Sequence, residues 1–262
     1  MRLKMFSSYD HFPKHNYVMG QPYIACYNDR YIKEQVEDNS VALLIEPRSL
    51  IPSNYEYIEA NPRKFRYVYT HDSILLSTLP NARLILYGGV WGWNTVGKSK
   101  NISFCSSDKE YCYLHKQRKE LAFLLENEID CMGTFNGGQK VSTFDIYAEY
   151  KFSVVIENYI DDYWFTEKIC NAFANKCVPI YYGARKIYKY FDRDGIVVLE
   201  NLYDLPKIIK WLKYDLDWEY SRRLLAINEN YERVADFRLF EDWFFRKYDR
   251  ELNDLYSQTQ KM

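Results

Sequence analysis

In the second half of this chain, short apolar runs alternate with stretches of helical period, and this rhythm restricts the fold more than any other feature. Runs at 102–105, 129–132, 152–156, 178–182 and 196–199 read as strands, rich in Ile, Val, Phe and Tyr. Helical patterns lie between them, one running through Arg118 to Leu125 and another over about 166–175. Strands separated by helices must cross over and return in the same direction, so a parallel, doubly wound sheet is expected. The first half is less regular, with candidate strands at 2–6, 41–45, 65–69 and 83–87, and implies a smaller α/β lobe. Gly88, Gly89, Gly92 and Gly97 cluster between the halves and read as a linker. The expected division is 1–98, 99–235 and a terminal segment 236–262. In that last segment Phe237, Phe240, Phe244, Tyr248, Leu252 and Leu255 recur every three or four residues, which predicts an amphipathic helix that packs on the rest. Arg246, Lys247 and Arg250 leave a peripheral membrane contact as the alternative, diluted by Glu241, Asp242, Asp249 and Glu251.

Charge and cysteine content narrow the function. With 35 Lys+Arg against 36 Asp+Glu the net charge is −1, so no overall field draws the chain to nucleic acid or to an anionic membrane. No apolar run approaches the roughly 18–20 residues a membrane helix needs, and the opening Met-Arg-Leu-Lys-Met-Phe is too short for a signal-peptide core; a soluble, cytoplasmic chain is expected. Cysteines 26, 105, 112, 131, 170 and 177 form no CxxC and have no partnered histidine pair, which favours reduced thiols over a zinc site or disulfide scaffold.

Two motifs compete for a phosphate ligand. Gly92 to Ser99 satisfies G-x-x-x-x-G-K-S, yet Lys-Asn-Ile-Ser-Phe-Cys follows it, a strand pattern with no helix N-terminus to hold phosphates. The stretch 150–183 is more informative. There a buried strand ends in Glu157 and Asn158, an aromatic loop containing Trp164 follows, and Thr166 caps a helix whose first turn carries Glu167 and Lys168. A helix N-terminus beside a lysine attracts an anion, while a carboxylate turned sideways from it accepts hydrogen bonds from vicinal hydroxyls such as those of a ribose. Together they describe a nucleotide-diphosphate site at the carboxyl edge of a parallel sheet.

The patterns K-F-x-x-x-x-E-N, T-E-K-x-x-x-A and V-P-I-x-x-G at these spacings resemble the donor-binding signature of family 10 glycosyltransferases, the α-1,3-fucosyltransferases, over about 101–212. The resemblance implies a GT-B fold: two Rossmann-like α/β lobes facing across a cleft, the C-terminal one holding GDP-fucose and the last helix closing the structure. It implies inversion at the anomeric carbon, and it makes Lys168 and Glu167 donor contacts and Arg118 the grip on the diphosphate. Glu157, Asn158, Trp164 and Thr166 complete the expected donor site. Trp164 stands where fucosyltransferases usually have a tyrosine, which keeps UDP-xylose or another GDP-deoxysugar open as the donor.

In the first lobe Leu43-Leu44-Ile45-Glu46-Pro47 places a glutamate at the end of an apolar strand, similar in location to the family's acidic base. Glu46 is the expected catalytic base; His71, and Asp72 after it, are the alternatives, and a surface glutamate is the plain reading. Asp192-Arg193-Asp194 resembles a metal-binding D-x-D but lies beside Gly195 and reads as a turn, so no metal and no cofactor beyond the nucleotide sugar is expected. The expected activity is glycosyl transfer to a glycan hydroxyl. A carbohydrate-binding protein without turnover and a P-loop phosphotransferase are the rivals.

Overall fold

The computed structural model describes residues 3–6, 24–34 and 39–259, and the chain divides into two compact units, Met1–Leu86 with Phe240–Met262, and Tyr87–Leu239. In the first unit the order is β1 (Leu3–Phe6), β2 (Ile24–Asn28), β3 (Val41–Leu44), α1 (Pro52–Ala60), β4 (Tyr67–Thr70), α2 (Ser73–Thr78) and β5 (Ala82–Leu84). Every pairing is parallel and the strands lie side by side in chain order. Right-handed crossovers that always step the same way leave their connections on one face of the sheet. On that face Ala25, Tyr27, Ala42, Leu44 and Val68 pack with Tyr55 and Ile58 of α1 and Leu75 of α2.

Something else must cover the opposite face. In the second unit the order is β6 (Lys100–Cys105), α3 (Tyr113–Leu125), β7 (Asp130–Met132), α4 (Thr143–Tyr147), β8 (Tyr150–Ile156), α5 (Glu167–Ala174), β9 (Val178–Tyr182), β10 (Val197–Val198), α6 (Leu205–Tyr214), α7 (Leu216–Ser221) and α8 (Leu224–Arg233), and the chain then returns as α9 (Phe240–Thr259). Helix α9 supplies the first unit's missing cover. Tyr69 of β4 stands edge-on to Phe244 with ring centroids 4.8 Å apart and meets Tyr248 at 4.7 Å, while Phe240, Phe244, Leu252 and Leu255 are buried. The apolar face of α9 is therefore the one that packs on the sheet. Among the described residues, no helix is long and apolar enough to cross a membrane.

The units divide at Leu86, earlier than residue 98, and α9 belongs with the first unit rather than standing apart. The glycine-rich run is built into the second unit: Gly89 N–H donates to Phe237 O (2.9 Å), Trp91 N–H to Asn171 Oδ1 (2.8 Å), and Asn175 Nδ2 to Gly92 O (2.8 Å). Gly88 has φ 60°, and a Cβ there would lie 2.9 Å from Phe237 Cβ, so glycine is required. The strands at 41–45, 65–69, 83–87 and in the second half fall within a few residues of expectation. Strand β2 carried no expectation, although all five of its residues are buried.

The second sheet has the order β10-β9-β8-β6-β7, all parallel. The chain runs from β6 outward to β7, returns to β8 and continues the other way, so the switch point lies between β6 and β8. At such a point the connections leave to opposite faces and open a crevice beyond the carboxyl ends of the strands.

Candidate functional site

Strand β8 delivers Glu157 to that edge with its side chain fully buried. Its backbone N–H donates to Tyr182 O (2.9 Å), extending the β8–β9 ladder by one bond. One carboxylate oxygen accepts from Thr166 N–H (2.9 Å), and the other accepts from Thr166 Oγ1 (2.8 Å) and Lys168 Nζ (3.3 Å). Gly183 makes room for this arrangement, because a Cβ there would lie 2.7 Å from Glu157 Cγ and 2.2 Å from the Tyr181 hydroxyl oxygen. The pattern E-N…T-E-K…G is thus a single packing unit. With both oxygens engaged by protein donors, Glu157 anchors the start of α5.

Thr166 caps α5 through its hydroxyl, which accepts from Lys168 N–H (3.4 Å). Lys168 Nζ also reaches Thr166 Oγ1 (3.1 Å) and Glu167 Oε1 (3.4 Å), and its side chain keeps 22% exposure. Desolvation pulls the Lys168 pKa down, but the Glu167 and Glu157 carboxylates outweigh it and hold the pKa above its ordinary value. The ammonium at the helix start is firmly charged. Trp164 is 3% exposed and meets Tyr159 edge-on at 6.4 Å.

Arg118 comes from α3, which follows β6. One of its guanidinium nitrogens donates to Ile156 O (3.1 Å) and Asn158 Oδ1 (2.9 Å), tying α3 to the end of β8. Burial lowers its pKa against the opposing pull of Glu157, and an arginine so placed stays cationic. The Arg118 charge is felt at Lys168, where it opposes the pull of the two carboxylates. One residue escaped the sequence reading. His115, one turn before Arg118 on the same helix face, is buried and stands edge-on to Tyr111 at 5.9 Å. Burial first, then the charges of Arg118, Lys168 and Lys109, push its pKa down to about 4, so the ring is neutral near pH 7. Among the described residues, neither His115 Nδ1 nor Arg118 Nε has a hydrogen-bond partner. The i, i+3 spacing of His115 and Arg118 was the available signal.

The two rejected motifs have structural roles. Lys98 Nζ donates to three carbonyl oxygens, Tyr147 (3.1 Å), Ala148 (2.7 Å) and Asn175 (2.5 Å), at the carboxyl ends of α4 and α5. The run at 92–99 leads into β6 and not into a helix. Asp192 accepts from Asp194 N–H (2.9 Å) as the cap of a short 3-10 turn. Among the described residues no group of three or more His, Cys, Asp or Glu side chains is placed to hold a metal ion, and all six cysteines are unpaired.

In the first unit the carboxyl ends of β2, β3 and β4 carry Asp29, Glu46 and His71-Asp72. The Asp29 carboxylate accepts from Ile45 N–H (3.0 Å) and Glu46 N–H (2.9 Å), fixing the backbone at the end of β3. Tyr55 Oη donates to Glu46 O (2.7 Å) and lies 3.3 Å from His71 Nε2, so the first two base candidates share one neighbour. Asp72 is committed elsewhere: it caps α2 through Leu75 N–H (2.8 Å) and takes two bonds of 3.1 Å from Arg48. Glu46 is partly exposed, whereas His71 and Asp72 are buried.

Residues 96–220 match the family model described as glycosyltransferase family 10 (fucosyltransferase), C-terminal. Over 97 residues, 32% of this chain, the sequence is 30% identical to GDP-fucose protein O-fucosyltransferase 3 of Danio rerio. The chain spans 21% and 16% of the lengths of two curated relatives that it matches. The fold is similar to that of a solved α1,3-fucosyltransferase with GDP, at 16% identity and a TM-score of 0.54, covering 89% of this chain and 79% of that one. It is also similar to TarM, at 12% identity and a TM-score of 0.50, covering 89% of this chain and 54% of that one. The parallel-sheet α/β fold is thus of the GT-B kind.

Proposed function

We propose that this chain, whose residues 96–220 match the family 10 glycosyltransferase model, is an inverting glycosyltransferase that moves L-fucose from GDP-fucose to a hydroxyl of a glycan acceptor. The observation that carries this reading is the convergence of Lys168, the Thr166-capped start of α5 and the buried Arg118 at the switch point of the second sheet. As the glycosidic bond breaks, negative charge grows on the departing diphosphate, and fixed cations and helix N–H groups aimed at it lower the barrier. Removing one such preorganised donor costs on the order of 3 kcal/mol. Glu167, beside the anion site with its side chain 14% exposed, would receive the ribose hydroxyls.

The acceptor oxygen attacks the anomeric carbon from the face opposite the diphosphate, and Glu46 takes its proton. Tethering of Glu46 N–H to Asp29 and of Glu46 O to Tyr55 supports this role by fixing the backbone from which the carboxylate projects. Lys168 and Arg118 supply the positive charge that a divalent ion supplies in metal-dependent transferases, so no metal is required. Trp164 keeps UDP-xylose or another GDP-deoxysugar as an alternative donor. Similarity to the zebrafish protein O-fucosyltransferase favours a second reading of the acceptor, a protein side-chain hydroxyl, with the same donor chemistry.

The test is thermal stabilisation by GDP, UDP and CMP in parallel, since a ligand of the native state raises the melting temperature by mass action. GDP should give the largest rise, and Lys168→Ala and Arg118→Ala should each weaken it by about tenfold or more in affinity, each losing a charge-assisted contact to phosphate. Parental GDP affinity in both variants would overturn the site. Release of free sugar or glycoside from labelled GDP-fucose separates an enzyme from a carbohydrate-binding protein.

A further inference from the structure

His115 is a buried imidazole with polar and charged groups around it from four parts of the chain. Arg118 lies one turn along on α3, Lys109 and Tyr111 on the segment before that helix, Asn158 on the loop after β8, and Lys168 at the start of α5, itself bonded to Glu157 and Glu167. Among the described residues its Nδ1 has no hydrogen-bond partner, and neither does the Nε of Arg118 on the same helix face. Burying an unpaired ring nitrogen is costly, and three nearby cations make its protonation costlier still. A diphosphate set between Arg118 and Lys168 would reverse the field at His115.

We propose that His115 takes up one proton from solvent when the diphosphate of the nucleotide sugar binds, linking donor affinity to pH. This inference rests on the donor site proposed above. The sign follows from linkage: the bound state holds more protons than the free state, so binding tightens as pH falls. In the free protein burial and the neighbouring cations push the imidazole pKa down to about 4, against a hydrogen bond with the Asn158 side chain that raises it. Compensating the cations moves it back toward its ordinary range of about 6.5, while burial keeps the return partial. Affinity should therefore be on the order of tenfold tighter at pH 5 than at pH 7.5, because each pH unit between the free and bound midpoints contributes up to tenfold.

The experiment titrates the full chain with GDP-fucose, a diphosphate diester with no ionisation of its own in this range, by calorimetry at pH 5, 6 and 7.5 in buffers of differing ionisation enthalpy. Net proton uptake, with a pH dependence that disappears in His115→Gln, supports the linkage. Equal pH dependence in the parent and the variant overturns it while leaving the donor site standing. Absence of binding at every pH overturns the donor site and the linkage together. Should His115→Gln fail to fold, the His115 ring resonance of the parent, followed by NMR with and without GDP-fucose, decides directly: an unchanged midpoint refutes the proposal.

Discussion

Glu157→Gln is the sharpest structural test, because glutamine keeps the shape of a fully buried side chain and changes only its charge and hydrogen-bonding pattern. The parent carboxylate accepts from Thr166 N–H, Thr166 O–H and Lys168 Nζ at 2.9, 2.8 and 3.3 Å. An amide has one accepting oxygen, so at least one of these donors must face an NH2 group. Hydrogen bonds to charged groups are each worth about 1.5–3 kcal/mol, and breaking a buried ion pair costs about 3–5 kcal/mol. Lys168 recovers part of this, since 22% of its side chain reaches water. A loss of about 3 kcal/mol is therefore expected. In a unit of this size 1 kcal/mol moves the midpoint by about 2–4 °C, so the transition of the second unit should fall by roughly 6–12 °C in scanning calorimetry. The measurement belongs near pH 7. The folded-state pKa of Lys168 is raised, so its contribution is complete below the ordinary lysine value of 10.5 and is lost only as pH climbs through the higher folded value. A midpoint within 2 °C of the parent would show that Glu157 does not anchor α5.

Glu46→Gln keeps shape but cannot accept a proton; turnover should fall by at least about 100-fold with GDP stabilisation unchanged, and near-parental turnover together with its loss in His71→Ala would move the base to His71. Activity should persist in excess EDTA, and complete loss restored by magnesium would establish a metal requirement. Lys98→Ala strips three carbonyl oxygens of their shared charged donor and should lower stability by about 2 kcal/mol. ATP hydrolysis by the parent that disappears in this variant would revive the phosphate-loop reading.

Much of the second unit could be read along the chain because its signals are local. Runs of five residues at 152–156 and 178–182 marked β8 and β9, and Thr166 announced the start of α5, since a cap acts on a backbone N–H only two residues away. The same locality hid β2. Its sequence Ile-Ala-Cys-Tyr-Asn is short and ends in an amide, and only its place between β1 and β3 buries every residue. Tyr27 and Cys26 look to opposite faces of one sheet, which a single strand cannot reveal.

By itself, then, the sequence determined the alternation of strand and helix, the parallel sheets and the block around 150–183, because hydrophobic periodicity and capping depend on neighbours a few residues apart. Tertiary structure alone decided what each polar group is for. Glu157 became an anchor because Thr166 and Lys168, nine and eleven residues on, turn back to fill its oxygens. Lys98 became a cap because carbonyls 49, 50 and 77 residues away converge on it. Helix α9 was drawn to the first unit because a sheet wound always one way leaves a bare apolar face, and burying that face against Phe244 and Leu252 outweighs the entropy of bringing the chain back. Which partner a charge meets, and so whether it binds, positions or merely packs, is set by distances in space that spacing along the chain does not encode.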